Sequence, residues 1–215
     1  MRIALSCLAL ATTAAAGALH AQLPITAGGS VSLAEHRVTA GAGLERSSGT
    51  MFGLSAATSI PWRSVDAWLT LRSGSLGAND RTAVDRDLGE LRVGASMPIR
   101  PWVSAVTGIT VRRYASSLAA QRWVWAELGV AGRMTLLDEA IRVSAGVSMM
   151  PLVSVSGISR PDLAVAAQSS VAYTTGRLTG TLRYGLERFD FPARTNGRRL
   201  EELSSLELGV AWRVR

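Results

Sequence analysis

The sequence predicts an all-β chain in which about ten antiparallel strands, joined up and down, close into a transmembrane barrel. Three observations carry that expectation: an N-terminus built for export, a period-two alternation that recurs through the chain, and connections that alternate between short and long. At 215 residues the chain suits a single domain.

The first residues, MRIALSCLALATTAAAGALHAQ, place one positive charge at Arg2 before an apolar run from Ile3 to Ala18 and small residues before Gln22. This is the pattern of a secretory signal peptide over 1–21, with cleavage after Ala21 or, as a second site, after Ala18. The run is shorter than the ~20 residues that a transmembrane helix needs. Cys7 precedes most of the run, which argues against a lipidated N-terminus. It is the only cysteine, so the exported chain is expected to have neither disulfide nor thiolate metal site.

All 23 basic residues are arginine, and each offers a planar fork suited to carboxylates and phosphates. Removing Arg2 leaves 22 arginines against 16 acids, a net charge of +6. The arginines are dispersed and the chain is exported, so nucleic acid is not an expected partner; an anionic membrane surface is.

After an N-terminal extension over 22–35, the barrel is expected over 36–215. Alternation marks strands at 36–46, 50–60, 63–73, 87–97, 102–113, 121–136, 140–150, 163–174, 177–188 and 203–215. In the third, Val65, Ala67, Leu69 and Leu71 alternate with Asp66, Trp68, Thr70 and Arg72. In the fourth, Leu91, Val93, Ala95 and Met97 alternate with Glu90, Arg92, Gly94 and Ser96. The sixth sets Val124, Ala126, Leu128 and Val130 against Trp125, Glu127, Gly129 and Ala131. The seventh sets Ile141, Val143, Ala145 and Val147 against Arg142, Ser144, Gly146 and Ser148. In the ninth, Leu178, Leu182, Tyr184 and Leu186 oppose Thr179, Thr181, Arg183 and Glu187. The last, ELGVAWRVR, puts Leu208, Val210, Trp212 and Val214 on one face and Glu207, Gly209, Ala211 and Arg213 on the other. Most of these runs approach the roughly 9–11 residues that cross a bilayer with tilt, longer than strands of soluble sheets.

The joins alternate as well. IPWR, PIRP, LLDE and TTGR are short, whereas the segments after Gly74, Tyr114, Pro151 and Phe189 are longer; only the first outer loop, near Ser47 to Gly49, is brief. With an even strand number both chain ends lie on the short-turn rim.

On these residues the chain resembles small bacterial outer-membrane β-barrel proteins over roughly 36–215. The resemblance implies that the last strand serves as an insertion signal read by the barrel assembly machinery, at Glu207, Gly209, Trp212 and Val214. Such chains commonly stop on an aromatic residue, and this one stops on Arg215. Two sparse aromatic girdles are expected: Trp212, Tyr173, Trp62 and Trp102 at the inner interface, and Phe52, Trp123 and Phe189 toward the long-loop rim.

Periodicity alone leaves open which face points inward. Strand length, loop alternation and the signal peptide favour the membrane. So does the lack of disulfides, of lysine-rich edges and of large aromatics on the apolar parity. The lumen then carries Glu45, Asp66, Arg72, Glu90, Arg92, Arg112, Glu127, Arg133, Arg142, Arg183, Glu187, Glu207 and Arg213, which must pair or stay hydrated. Structural ion pairing is the expected role.

Enzyme chemistry finds little support. His36 is the one histidine after signal removal, and the predicted strands place it far from the long loops. Ten-stranded outer-membrane proteases use acidic and histidine pairs at the outer rim, where this reading has no histidine. Asp80, Asp85 and Asp87 match no EF-hand spacing, and no phosphate-binding glycine loop or zinc motif occurs, so neither cofactor nor metal is expected. Arg194, Arg198 and Arg199 in the last outer loop are candidates for binding lipopolysaccharide phosphates beside the outer-membrane lipid itself. The expected role is a non-enzymatic membrane protein with a structural or surface-interaction function. A small porin-like channel and a soluble secreted β-barrel for an apolar ligand remain as alternatives, and the oligomeric state stays open.

Overall fold

A computed structural model describes residues 23–60, 64–81, 83–194 and 197–214; the predicted signal peptide and Trp62 lie outside them. The strands are β1 (Ile25–Ala40), β2 (Gly43–Ile60), β3 (Val65–Ala78), β4 (Arg86–Arg100), β5 (Val103–Ala115), β6 (Ala120–Leu136), β7 (Ile141–Val155), β8 (Leu163–Thr175), β9 (Leu178–Arg194) and β10 (Gly197–Arg213). Each pairs antiparallel with its neighbours in sequence, and β10 closes the barrel on β1, with Leu208 opposite Val31 and Trp212 opposite Ala27. Closure leaves no free edge strand in the membrane-spanning part, as hydrocarbon requires, although beyond it β7 runs past its last β8 partner, Met149 opposite Val165.

The apolar parity faces outward. Leu33, Phe52, Val93, Ile109, Leu128, Val147, Leu182 and Leu208 are all exposed large hydrophobics, spread around the cylinder. A soluble barrel would turn this parity inward, so that alternative is overturned. The outward apolar run stops at a charged residue on strand after strand: Glu35 on β1, Asp87 on β4, Arg113 on β5, Arg122 on β6, Arg188 on β9 and Glu202 on β10. Below these charges lies the membrane-spanning part. Since the strands have 13 to 18 residues and about 9–11 suffice to cross, every strand continues beyond the bilayer, and the surplus lies on the outer side.

That surplus corrects the expected boundaries. The barrel begins at Ile25, so most of 22–35 is strand and not an extension. Its inward positions, Ser30, Ser32 and Ala34, are small, which blunts the alternation that would have marked it. The first outer turn falls at Gly41, whose φ of 58° suits glycine. Ser47 to Gly49, expected as a loop, are within β2. There Gly49 has no side chain for a reason: a Cβ would come within 1.9 Å of the Ser75 carbonyl oxygen on β3. The segment after Phe189 is likewise a continuous hairpin of β9 and β10 that turns near Gly197 (φ 96°). Pro151, expected to end its strand, sits instead at a register shift where β7 slips against β6 between Ala126 and Leu128. A bulge tolerates a residue with no N–H to donate, and β7 runs on to Val155.

Inside the outer part lies a hydrophobic core of Leu76, Leu88, Tyr114, Trp123, Trp125, Met150, Val153, Phe189, Phe191 and neighbours. Trp123 stands edge-on to Phe189 with ring centroids 5.0 Å apart, and to Phe191 at 6.0 Å. This corrects one expected girdle. Phe52 does face lipid, at 65% exposed, but Trp123 and Phe189 are 1% and 2% exposed inside the barrel. They lie on the lumenal parity, where they have one another to pack against. At the other rim Trp102, Tyr173 and Trp212 point outward, as an interfacial belt requires.

Candidate functional site

Beneath the aromatic core the lumenal parity of β3, β4, β5, β6, β9 and β10 delivers four arginines and four glutamates to one layer. Period two puts every second residue of each strand inside, and closure brings these positions face to face. Arg112 donates from Nε to Glu90 Oε2 at 2.8 Å and from Nη2 to the same oxygen. Its Nη2 also lies 2.6 Å from Glu187. Arg92 reaches Glu187 at 3.0 Å and Glu127 at 3.4 Å, while its Nε donates to the Thr110 hydroxyl at 3.2 Å. Ser148 donates to Glu127 at 2.6 Å. Glu207 takes Arg72 at 2.5 Å and Arg183 at 3.4 Å. Arg72 also lies 4.0 Å from Glu90, which links the two halves of the layer. The Arg112 guanidinium lies over the Trp125 ring, 4.8 Å from its centroid, so the layer is joined to the aromatic core by a cation–π contact.

The eight charges cancel. In a medium of low dielectric each ion is expensive unless it is paired and its remaining hydrogen-bonding capacity is used, and here each has at least one opposite charge in reach. All eight were candidates on sequence grounds. The structure does not bring the other lumen candidates into the layer. Asp66 accepts from Ser59 at 2.6 Å, Glu45 is held by Arg86 at 2.8 Å, and Arg133, Arg142 and Arg213 lie nearer the inner rim.

A second polar cluster sits beside the core, beyond the membrane-spanning part of β1, and sequence reasoning missed it. Because β1 starts at Ile25, His36 belongs to the outer end and not to the side remote from it. Arg86 donates to His36 Nδ1 at 3.2 Å, and an arginine can only donate, so Nδ1 is the acceptor and Nε2–H faces Glu201 at 3.2 Å. The imidazole, stacked on Tyr114 at 4.9 Å, is therefore the neutral Nε2–H tautomer. Burial pushes its pKa below the ordinary value, with the Glu201 carboxylate opposing that shift. Both ring nitrogens are occupied and the side chain is buried.

The outer hairpin places Arg198 against Asp190, with Nε donating at 2.6 Å, and Arg199 against Glu201 at 2.8 Å and over the Phe191 ring at 5.7 Å. Both expected anion binders thus already hold an internal acid; the Arg194 side chain falls outside the described residues. In the last strand Glu207 points into the lumen, whereas Trp212 and Val214 are exposed on the lipid-facing side of the inner rim.

The structure superposes on the outer membrane protease OmpT from Escherichia coli with a TM-score of 0.60, covering 88% of this chain and 96% of that one at 10% identity. The chain has the fold of an outer-membrane β-barrel. Looser likenesses are to the translocator domain of the autotransporter NalP from Neisseria meningitidis and the beta domain of the Bordetella autotransporter BrkA. The first has a TM-score of 0.49 and 12% identity, covering 94% of this chain and 92% of that one. For the second the TM-score is 0.47 at 10% identity, with 86% and 98% covered. No protein-family model and no curated relative matches the sequence. At such identities the likeness is one of fold, and this barrel's chemistry has to be read from its own lumen.

Proposed function

We propose that this outer-membrane barrel is a non-enzymatic, non-conducting envelope protein whose role is structural or surface-interacting. The observation that supports this is the outer lumen: buried apolar and aromatic side chains fill it, and the neutral ionic layer lies directly beneath. A ten-stranded barrel lies between one filled by its own side chains and one wide enough for a channel, and here the outer lumenal side chains are large. An ion moving through would have to displace Trp123, Trp125 and Phe189 and part the salt bridges below them. The saturated, buried His36 supports the absence of histidine chemistry, since no lone pair is left to take a proton from a substrate. Reconstituted into planar bilayers, the folded chain is expected to give no reproducible conductance steps. Discrete ohmic steps would overturn the sealed reading and restore the porin-like one.

The partner we assign to the outward surface is outer-leaflet lipid bearing phosphate. Just beyond the apolar belt Arg113 on β5 stands directly opposite Arg122 on β6. Like charges directly across a sheet destabilise it. A lipopolysaccharide phosphate between two guanidinium forks relieves that repulsion through charge-assisted hydrogen bonds. Added lipopolysaccharide should raise the melting temperature of the wild-type barrel, and Arg113→Gln/Arg122→Gln should lose most of that gain; an equal gain in the variant would sink the assignment. The exposed Trp212 and Val214 of β10 also fit recognition by the barrel assembly machinery before the barrel closes.

A further inference from the structure

Below the ionic layer the lumen widens into a vestibule of about 390 Å³ toward the inner rim. Small residues make the space: Gly29, Ser55, Ala57, Ser104 and Ala131 all line it. Its charge is unbalanced. The one acid on its wall, Glu207, is already held by Arg72 and Arg183. Arg133 and Arg142 bring two more cations to the same wall. Among the described residues the Arg133 side chain hydrogen-bonds only the Pro101 carbonyl, from Nε at 3.3 Å. Arg142 makes no side-chain hydrogen bond or ion pair among the described residues.

The register orders these groups. Arg133 on β6 lies opposite Ser144 on β7, Ser144 opposite Ser170 on β8, and Ser170 opposite Arg183 on β9, so that four lumenal side chains form one row across four strands. At about 4.8 Å per strand the two arginines of the row start about 14 Å apart, a gap their long side chains can close from both ends. The Ser144 and Ser170 hydroxyls hydrogen-bond each other at 2.8 Å, which uses one hydroxyl hydrogen and leaves the other free to donate. Arg142 lies diagonal to Arg133, one step closer to the rim, because its direct partner on β6 is Thr135. Two guanidiniums at diagonal positions with no carboxylate between them repel, and an anion seated there removes the repulsion.

We propose that this vestibule is a binding site, entered from the periplasmic rim, for a small oxyanion such as the phosphate or carboxylate group of a soluble ligand. Arg133, Arg142 and Arg183 hold the charge, and the paired serine hydroxyls supply a directional donor. The ionic layer forms the floor of the site, so the ligand enters and leaves by the same mouth. The site does not depend on the outer seal, and its test reads binding and not current, so either can fail without the other.

The test is calorimetric titration of the folded barrel, in an uncharged detergent at low salt, with inorganic phosphate and separately with citrate. Saturable binding of at least one is expected, the preferred anion telling phosphate from carboxylate chemistry. Arg133→Gln/Arg142→Gln should weaken that binding about tenfold or more, whereas Arg160→Gln in the exposed loop between β7 and β8 should leave it unchanged. Where the first variant does not fold, the wild-type chain answers: the bound anion should protect Arg133 and Arg142, but not the exposed Arg160, from phenylglyoxal modification mapped by mass spectrometry. No saturable binding of either anion up to about 10 mM, equal affinity in the vestibule variant, or no selective protection would overturn the proposal.

Discussion

Glu90→Leu should destabilise the barrel by about 3–5 kcal/mol, the cost of leaving a buried charge without its partner. Glu90 receives both Nε and Nη2 of Arg112, and the two side chains are each 2% exposed. Without that carboxylate, Arg112 keeps only Glu187, which Arg92 also needs, and the layer carries one uncompensated positive charge. The informative comparison is Glu90→Leu/Arg112→Leu. It removes one charge of each sign, so much of the loss should return even though two ions have gone, because an ion pair replaced by apolar side chains is often close to neutral in energy. The measurement is the urea midpoint of unfolding from lipid vesicles, followed by tryptophan fluorescence, for both variants and the Arg112→Leu single. An unchanged midpoint for Glu90→Leu would show that the layer is hydrated enough not to need pairing. A double variant worse than the sum of the singles would show that the pair is not an electrostatic unit.

The second large effect belongs to the other face of the same barrel. Leu208→Arg is expected to cost about 2–4 kcal/mol, the range for an arginine on the lipid face near the bilayer midplane. Leu208 is 61% exposed and lies inside the outward run from Leu206 to Val214. A guanidinium there has hydrocarbon around it and no acid on its face. The same substitution at Ser204, two steps farther out on the same parity, lies near Glu35 and Glu202 at the edge of the belt and should be tolerated. The fraction of chain that shows the heat-dependent shift of a folded barrel on SDS gels reads both. Full folding of Leu208→Arg would mean that β10 presents its other face to lipid.

Much of this architecture was legible beforehand, for a physical reason. A strand between water-lined and lipid-lined sides must alternate strictly, so runs such as Leu91 to Met97 and Leu208 to Val214 declare both their conformation and their two faces. The same alternation singled out all eight members of the ionic layer before any contact was known. The alternation failed where the selecting environment changes. Beyond the bilayer the outward face meets water, and the lumen can take Trp123, Phe189 and Phe191 as readily as ions, so apolar residues switch parity. In β1 the inward positions are serine and alanine, and the strand start was missed along with the location of His36.

By itself, then, the sequence determined an up-and-down run of about ten strands, the two unlike faces of each and the stock of arginines and glutamates on the polar face, because these follow from local periodicity and composition. Only the tertiary structure decided which ions meet and which end of the lumen is packed. Arg92 meets Glu187 across 95 positions and His36 meets Glu201 across 165, contacts that exist because curling the sheet into a cylinder sets distant strands face to face. Closure likewise stacks the aromatic residues of β5, β6 and β9 over the outer lumen while leaving small residues, and arginines that meet no carboxylate among the described residues, at the inner end. No local pattern encodes that division into a packed end and an open one; it arises from the stagger of ten strands around a shared axis.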